Sequence, residues 1–82
     1  MKAMKITMLT DGFPVLFAKQ LSQAAAAYTS EIRIIWEERN IISDVKSILG
    51  LMALETKKGT ILTLTIDGSD EEQAIELGKL FE

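Results

Sequence analysis

Three stretches of this chain alternate apolar and polar residues with period two, and the segments between them do not. Met4, Ile6 and Met8 flank Lys5 and Thr7. Ile32, Ile34 and Trp36 form a second set, and Leu62, Leu64 and Ile66 alternate with Thr63 and Thr65 in a third. Period two is the signature of a strand with one buried face, so each stretch needs an apolar layer on one side only. Between the first two, Phe17, Leu21, Ala24, Ala25 and Tyr28 recur at spacings of three, four and seven. That is one face of a helix running to about Tyr28, with Lys19, Gln20 and Gln23 mainly on the other side. The alanine run Ala24 to Ala27 belongs to the same element, since alanine is the best helix former.

Turn chemistry divides the remainder. Asp11-Gly12 closes the first strand, and Pro14 suits the first helical position, where a missing N–H costs nothing. Glu37 to Asn40 reads as a polar hairpin turn, with Asn40 tolerant of a left-handed backbone. Ile41 to Val45 makes a short returning strand, and Ser47 to Ala53 a short helix. Lys57-Lys58-Gly59 and Asp67-Gly68 are turns. Ser69 followed three residues later by Glu72 has the pattern of a capping box. A last helix buries Ala74, Leu77, Gly78 and Phe81. The predicted order is strand, helix, strand, strand, helix, strand, helix. It implies an α+β, two-layer open-faced sandwich: a four-stranded antiparallel sheet covered on one face by three helices. The 82 residues fit one domain, 1–82. Pattern alone does not choose among the unrelated small modules with this order.

Composition removes whole classes of chemistry. The chain has no cysteine and no histidine. Disulfides, zinc–thiolate sites, cysteine nucleophiles, histidine general bases and a Ser-His-Asp triad are therefore excluded within it. The net charge is −3, and the lysines and arginines are scattered rather than set in a stripe, which argues against nucleic acid. No apolar run approaches the ~20 residues that span a bilayer, and the alternating N-terminus does not read as a signal peptide. A cytoplasmic location is the default expectation, with no metal and no cofactor implied. Asp11 and Asp67 each precede a glycine and are explained by turn formation. Glu37 and Glu38 read as a solvated turn, and nothing suggests a hydrolase.

The segment Lys46-Ser47-Ile48-Leu49-Gly50-Leu51-Met52-Ala53-Leu54 resembles the K-S-I-M-G-[VL]-M-S-L signature of the HPr family, the histidine-containing phosphocarriers of the bacterial sugar phosphotransferase system. The element order and the turns at Lys58-Gly59 and Asp67-Gly68 agree with that family. The resemblance covers essentially the whole chain, though outside the signature it lies mainly in the pattern. In the family, the turn into the first helix reads G-[IL]-H-A-R-P-A. Here it reads Gly12-Phe13-Pro14-Val15-Leu16-Phe17-Ala18. The phosphate-carrying histidine thus falls at Pro14, the neighbouring arginine at Leu16 and the family's proline at Phe17.

The resemblance implies a homologue that has lost the carrier chemistry. A carrier must accept a phosphoryl group and release it again, which a neutral imidazole near its pKa can do. An adjacent arginine and a helix start stabilise the resulting anion. A proline in the chain has no nucleophilic nitrogen, and leucine has no charge. Ser47 matches the family's regulatory serine, which an ATP-dependent kinase phosphorylates in Gram-positive bacteria so that the protein acts as a corepressor. A phosphate there would sit at a helix start; as a bare serine it is a cap. Ile48, Leu49 and Met52 match the small helix that family members press against partner proteins. Together with Phe13, Val15 and Leu16 they are expected to form an apolar partner-binding patch. The bland alternative is that the set fills the core, least so for Leu16, which replaces a solvent-facing arginine. Leu51 and Leu54 are the better core candidates.

The reading is a non-enzymatic, regulatory HPr-like domain with degenerate positions Pro14 and Leu16. Its expected partners are proteins: a regulator or kinase of the phosphotransferase system, or a second copy of the chain. The alternatives are a plain interaction module without phosphorylation and a phosphocarrier with a substitute acceptor.

Overall fold

The computed structural model describes residues Met1–Glu82. Strand β1 spans Lys2–Thr7, helix α1 Val15–Ala26 and strand β2 Glu31–Trp36. A turn of 3-10 helix, Glu37–Arg39, leads into β3, Ile41–Asp44. Helix α2 (Ile48–Met52), strand β4 (Ile61–Asp67) and helix α3 (Glu71–Ala74) follow, and α3 tightens into 3-10 geometry over Ile75–Phe81. The sheet order is β1-β4-β2-β3 and every pairing is antiparallel. This is the four-stranded, three-helix sandwich in the order that the period-two stretches predict.

The register explains the alternation. Met4 opposes Leu64, Leu64 opposes Ile34, and Ile34 opposes Ser43, a single row across the face beneath the helices. Ile6, Ile32, Trp36, Leu62 and Ile66 lie on the same face and are buried. Ala18, Leu21 and Ala25 of α1, Leu51 of α2, and Ala74, Leu77 and Phe81 close the core from above. A fully buried leucine or isoleucine contributes roughly 1.5–3 kcal/mol. Ser43, the one polar member of the central row, donates its hydroxyl to the Gly50 carbonyl (3.0 Å) and so ties β3 to α2. On the open face Lys5 pairs with Glu37, and Thr63 donates to the same carboxylate. Glu37, expected to be merely solvated, therefore anchors the hairpin turn to β1 and β4.

Three local expectations change. Helix α1 stops at Ala26, and Tyr28 lies beyond it, half-buried against the core, its hydroxyl donating to Glu76. Pro14 is the N-cap of α1 rather than its first helical residue. The capping box of Ser69 and Glu72 does not form. Asp70 is the N-cap of α3, but its carboxylate is spent on Thr29 and Ser30 across the fold, while Glu71 accepts from the Gly68 N–H. Long-range ties at the start of β2 outcompete the local cap. Gly68 sits so close to Ser30 that a Cβ would fall 2.7 Å from the Ser30 Cα, so this approach requires glycine.

Candidate functional site

The segment between β1 and α1 is held by backbone bonds and by the Asp11 side chain. The Gly12 N–H donates to the Thr56 carbonyl (2.7 Å), and the Lys58 N–H donates to Asp11 Oδ1 (2.8 Å). The Gly59 N–H reaches the Met8 carbonyl at 2.8 Å. Gly12 has φ +64°, a left-handed turn that a glycine adopts without strain and that points Phe13 inward. These bonds fix the start of α1 against the segment that follows α2, and the two helices pack on each other.

Pro14, at φ −55° and ψ 149°, starts α1 by accepting from the Ala18 N–H at 2.9 Å. It offers no side-chain hydrogen bond to the helix end. Ser47 starts α2 differently. Its hydroxyl oxygen accepts from the Gly50 N–H (3.0 Å), and its carbonyl accepts from the Leu51 N–H (3.1 Å). An N-cap of this kind contributes about 1 kcal/mol. Asp44 prepares the turn by accepting from the Lys46 N–H, and the Lys46 ammonium reaches back to the Tyr28 carbonyl beyond the end of α1.

The predicted patch separates into two parts. Leu16 and Leu49 are each 79% exposed, Val15 55%, Met52 44% and Ile48 37%. Phe13 does not belong with them. It is 5% exposed, stacked on Phe17 at 5.5 Å between centroids and edge-on to Phe81 at 6.3 Å. Phe17 meets Phe81 edge-on at 5.4 Å, so the three rings lock the β1–α1 segment to the C-terminal helix. The left-handed Gly12 is the cause: it reverses the chain immediately before Phe13, and a large ring is worth more inside than on a rim. Leu9, 45% exposed, is an addition the sequence concealed, because it follows directly on the alternating β1 pattern. With Thr10, Pro14, Phe17, Gln20 and Leu80 it lines a shallow cleft of about 240 Å³. The exposed apolar side chains and this cleft suit a protein surface. No group of three or more Asp or Glu residues is placed to hold a metal ion, and no helix is long and apolar enough to cross a membrane.

An open-faced sandwich in the order βαββαβα, with α1 and α2 packed on each other, is the architecture of small phosphocarrier domains. Residues 5–82 match the family described as "PTS HPr component phosphorylation site". The chain belongs to the HPr family of the phosphotransferase system. It is 38% identical over 77 residues to the phosphocarrier protein HPr of Lysinibacillus sphaericus, covering 93% of this chain and 85% of that one. The crystal structure of HPr-C-His from Thermoanaerobacter tengcongensis superposes with a TM-score of 0.84 at 31% identity, over 99% of this chain and 91% of that one. The catabolite repression containing protein Crh of Bacillus subtilis, whose crystal structure is a domain-swapped dimer, superposes with a TM-score of 0.77 at 32% identity, over 89% and 82%.

Proposed function

We propose that this chain is a cytoplasmic regulatory member of the HPr family that does not carry phosphate on histidine and acts by docking proteins. The observation that carries the reading is Pro14. At the start of α1, where the resemblance puts the phosphate-accepting residue, stands a side chain with no nucleophile, in a chain with no histidine at all. Leu16, where the family has arginine, removes the charge that would hold a phosphoryl group. In place of the reagent stand exposed apolar side chains, Val15 and Leu16 at the start of α1 and Ile48, Leu49 and Met52 on α2.

Ser47 is the switch in this reading. Phosphorylation would add a charge of about −1.5 to −2 beside Ile48 and Leu49 and at the free N–H groups of α2. A partner could then tell the two forms apart by charge at the rim of an otherwise apolar contact. The likeness to Crh, a protein named for catabolite repression, supports a regulatory role. Incubation with the family's bifunctional kinase and ATP, read by intact-mass spectrometry, tests it. The wild type gains one phosphate and Ser47→Ala gains none. If the wild type gains none, the plain interaction module is the better reading; if Ser47→Ala gains as much, the site is wrong.

A further inference from the structure

We propose that the free edge of β3 pairs with the β3 edge of a second copy of this chain, antiparallel, about a twofold axis at Ile42. The sheet has two edges, β1 and β3. β1 carries Lys2 and Lys5, and edge lysines discourage strand addition. β3 carries no lysine. It reads Ile41-Ile42-Ser43-Asp44, with Ile41 41% and Ile42 62% exposed.

The hydrogen-bond alternation shows which backbone groups are free. The Val45 N–H donates to the Ile32 carbonyl (3.0 Å) one residue past the end of β3. In an antiparallel ladder, bonded and non-bonded pairs alternate. Ser43 opposite Ile34 and Ile41 opposite Trp36 therefore turn their backbone groups toward β2. Ile42 and Asp44 turn theirs outward. The Asp44 carbonyl accordingly accepts from the Ser47 N–H, on the side away from β2. Ile42 is left with an outward N–H and an outward C=O, which is what a bonded pair on a twofold axis requires: each copy donates to and accepts from the same residue of the other.

The side chains select this register. Placing Ile42 against Ile42 of the second copy sets Ile41 opposite Ser43 and Asn40 opposite Asp44, with no like charges face to face. Sliding by two residues would set Ile42 against Asp44. Within each copy Ile42 is already the cross-strand neighbour of Ile35. Pairing would thus extend the Ile35–Ile42 pair of one copy into that of the other, a four-residue apolar strip on the open face. The short edge buries less than the ~1,200 Å² of a stable complex, so the dimer is weak and forms only at high concentration. It does not involve Leu16, so it is separable from the docking proposed at the start of α1, while Ser47, bonded to the Asp44 carbonyl, lies at the end of the paired edge.

Sedimentation velocity over a concentration series, with amide hydrogen exchange on the same samples, tests the pairing. Wild-type protein is expected to pass from monomer to dimer as concentration rises, with the Ile42 amide becoming protected only in the dimer. Ile42→Lys, at an exposed position, should keep the wild-type circular dichroism and lose the dimer. Leu16→Arg should dimerise as the wild type does. A wild type that stays monomeric at millimolar concentration overturns the proposal. So does a dimer that survives Ile42→Lys, that Leu16→Arg abolishes, or that leaves the Ile42 amide unprotected. Ile42 protected only when a different protein is added would assign the edge to a foreign strand and likewise overturn it.

Discussion

The backbone N–H and the hydroxyl of Ser30 both donate to one oxygen of the Asp70 carboxylate, and the Thr29 N–H donates to the other (2.8 Å). Asp70 lies at the start of α3 and Ser30 immediately before β2, so one carboxylate fastens the last helix to the middle of the sheet. The donors act on the ionised form. The Ser30 hydroxyl first, then the backbone N–H of Thr29, hold the Asp70 pKa down at about 2.

A pH dependence follows. The unfolded chain titrates this aspartate near the ordinary value of ~3.9. A depressed folded-state pKa means the stabilisation is complete above that value and disappears as pH falls toward about 2. Urea unfolding from about pH 6 down to about pH 2 should show stability falling through the lower part of that range. Asp70→Asn should be less stable at neutral pH and show a flatter acid limb. An acid limb unchanged by the substitution would remove Asp70 from the role.

Phe13 and Leu16 stand three positions apart and should behave oppositely. Phe13 is enclosed by two other rings, so Phe13→Ala should cost about 3–5 kcal/mol. Leu16 is largely exposed, so Leu16→Arg should change stability by no more than about 0.5 kcal/mol. On the proposed reading it should nonetheless weaken binding of the partner protein. Denaturant melts of both variants check the first pair of values, and titration of the partner checks the last.

Much of this was legible in the residues. The recurrence at every second position of Met4 and Ile6, Ile32 and Ile34, and Leu62 and Leu64 named the inner face of each strand, because period two puts such residues on one side. Asn40 does take the left-handed backbone, at φ 54°, that its place in the hairpin suggested. What the residues concealed came from long-range competition. Phe13 looked like rim because it sits at a helix start; the reversal at Gly12 sends it into the core. Ser69 and Glu72 had the local pattern of a cap, but the stronger partners of Asp70 lie some forty residues earlier, at Thr29 and Ser30. The outward-facing backbone of Ile42 could not be read at all, since it depends on which side of β3 its neighbour lies.

Ser47 contributes through its hydroxyl alone before any modification. Its Oγ accepts from the Gly50 N–H, and Ser47→Ala leaves that donor without its cap. The loss should be about 1 kcal/mol in urea unfolding. It should fall on α2 locally, seen as faster amide exchange at Gly50 with the sheet unaffected. Unchanged Gly50 exchange would mean the cap contributes nothing in solution.

The proposed function requires that the carrier chemistry be gone from a fold that has kept its form. Incubation of the wild type with phosphoenolpyruvate and Enzyme I, followed by intact-mass spectrometry under conditions that preserve phosphoramidates, tests it most directly. Pro14 and Leu16 predict that the mass does not change while a histidine-bearing HPr in the same tube is fully converted. A stoichiometric phosphate on this chain, whatever residue accepts it, would contradict the account.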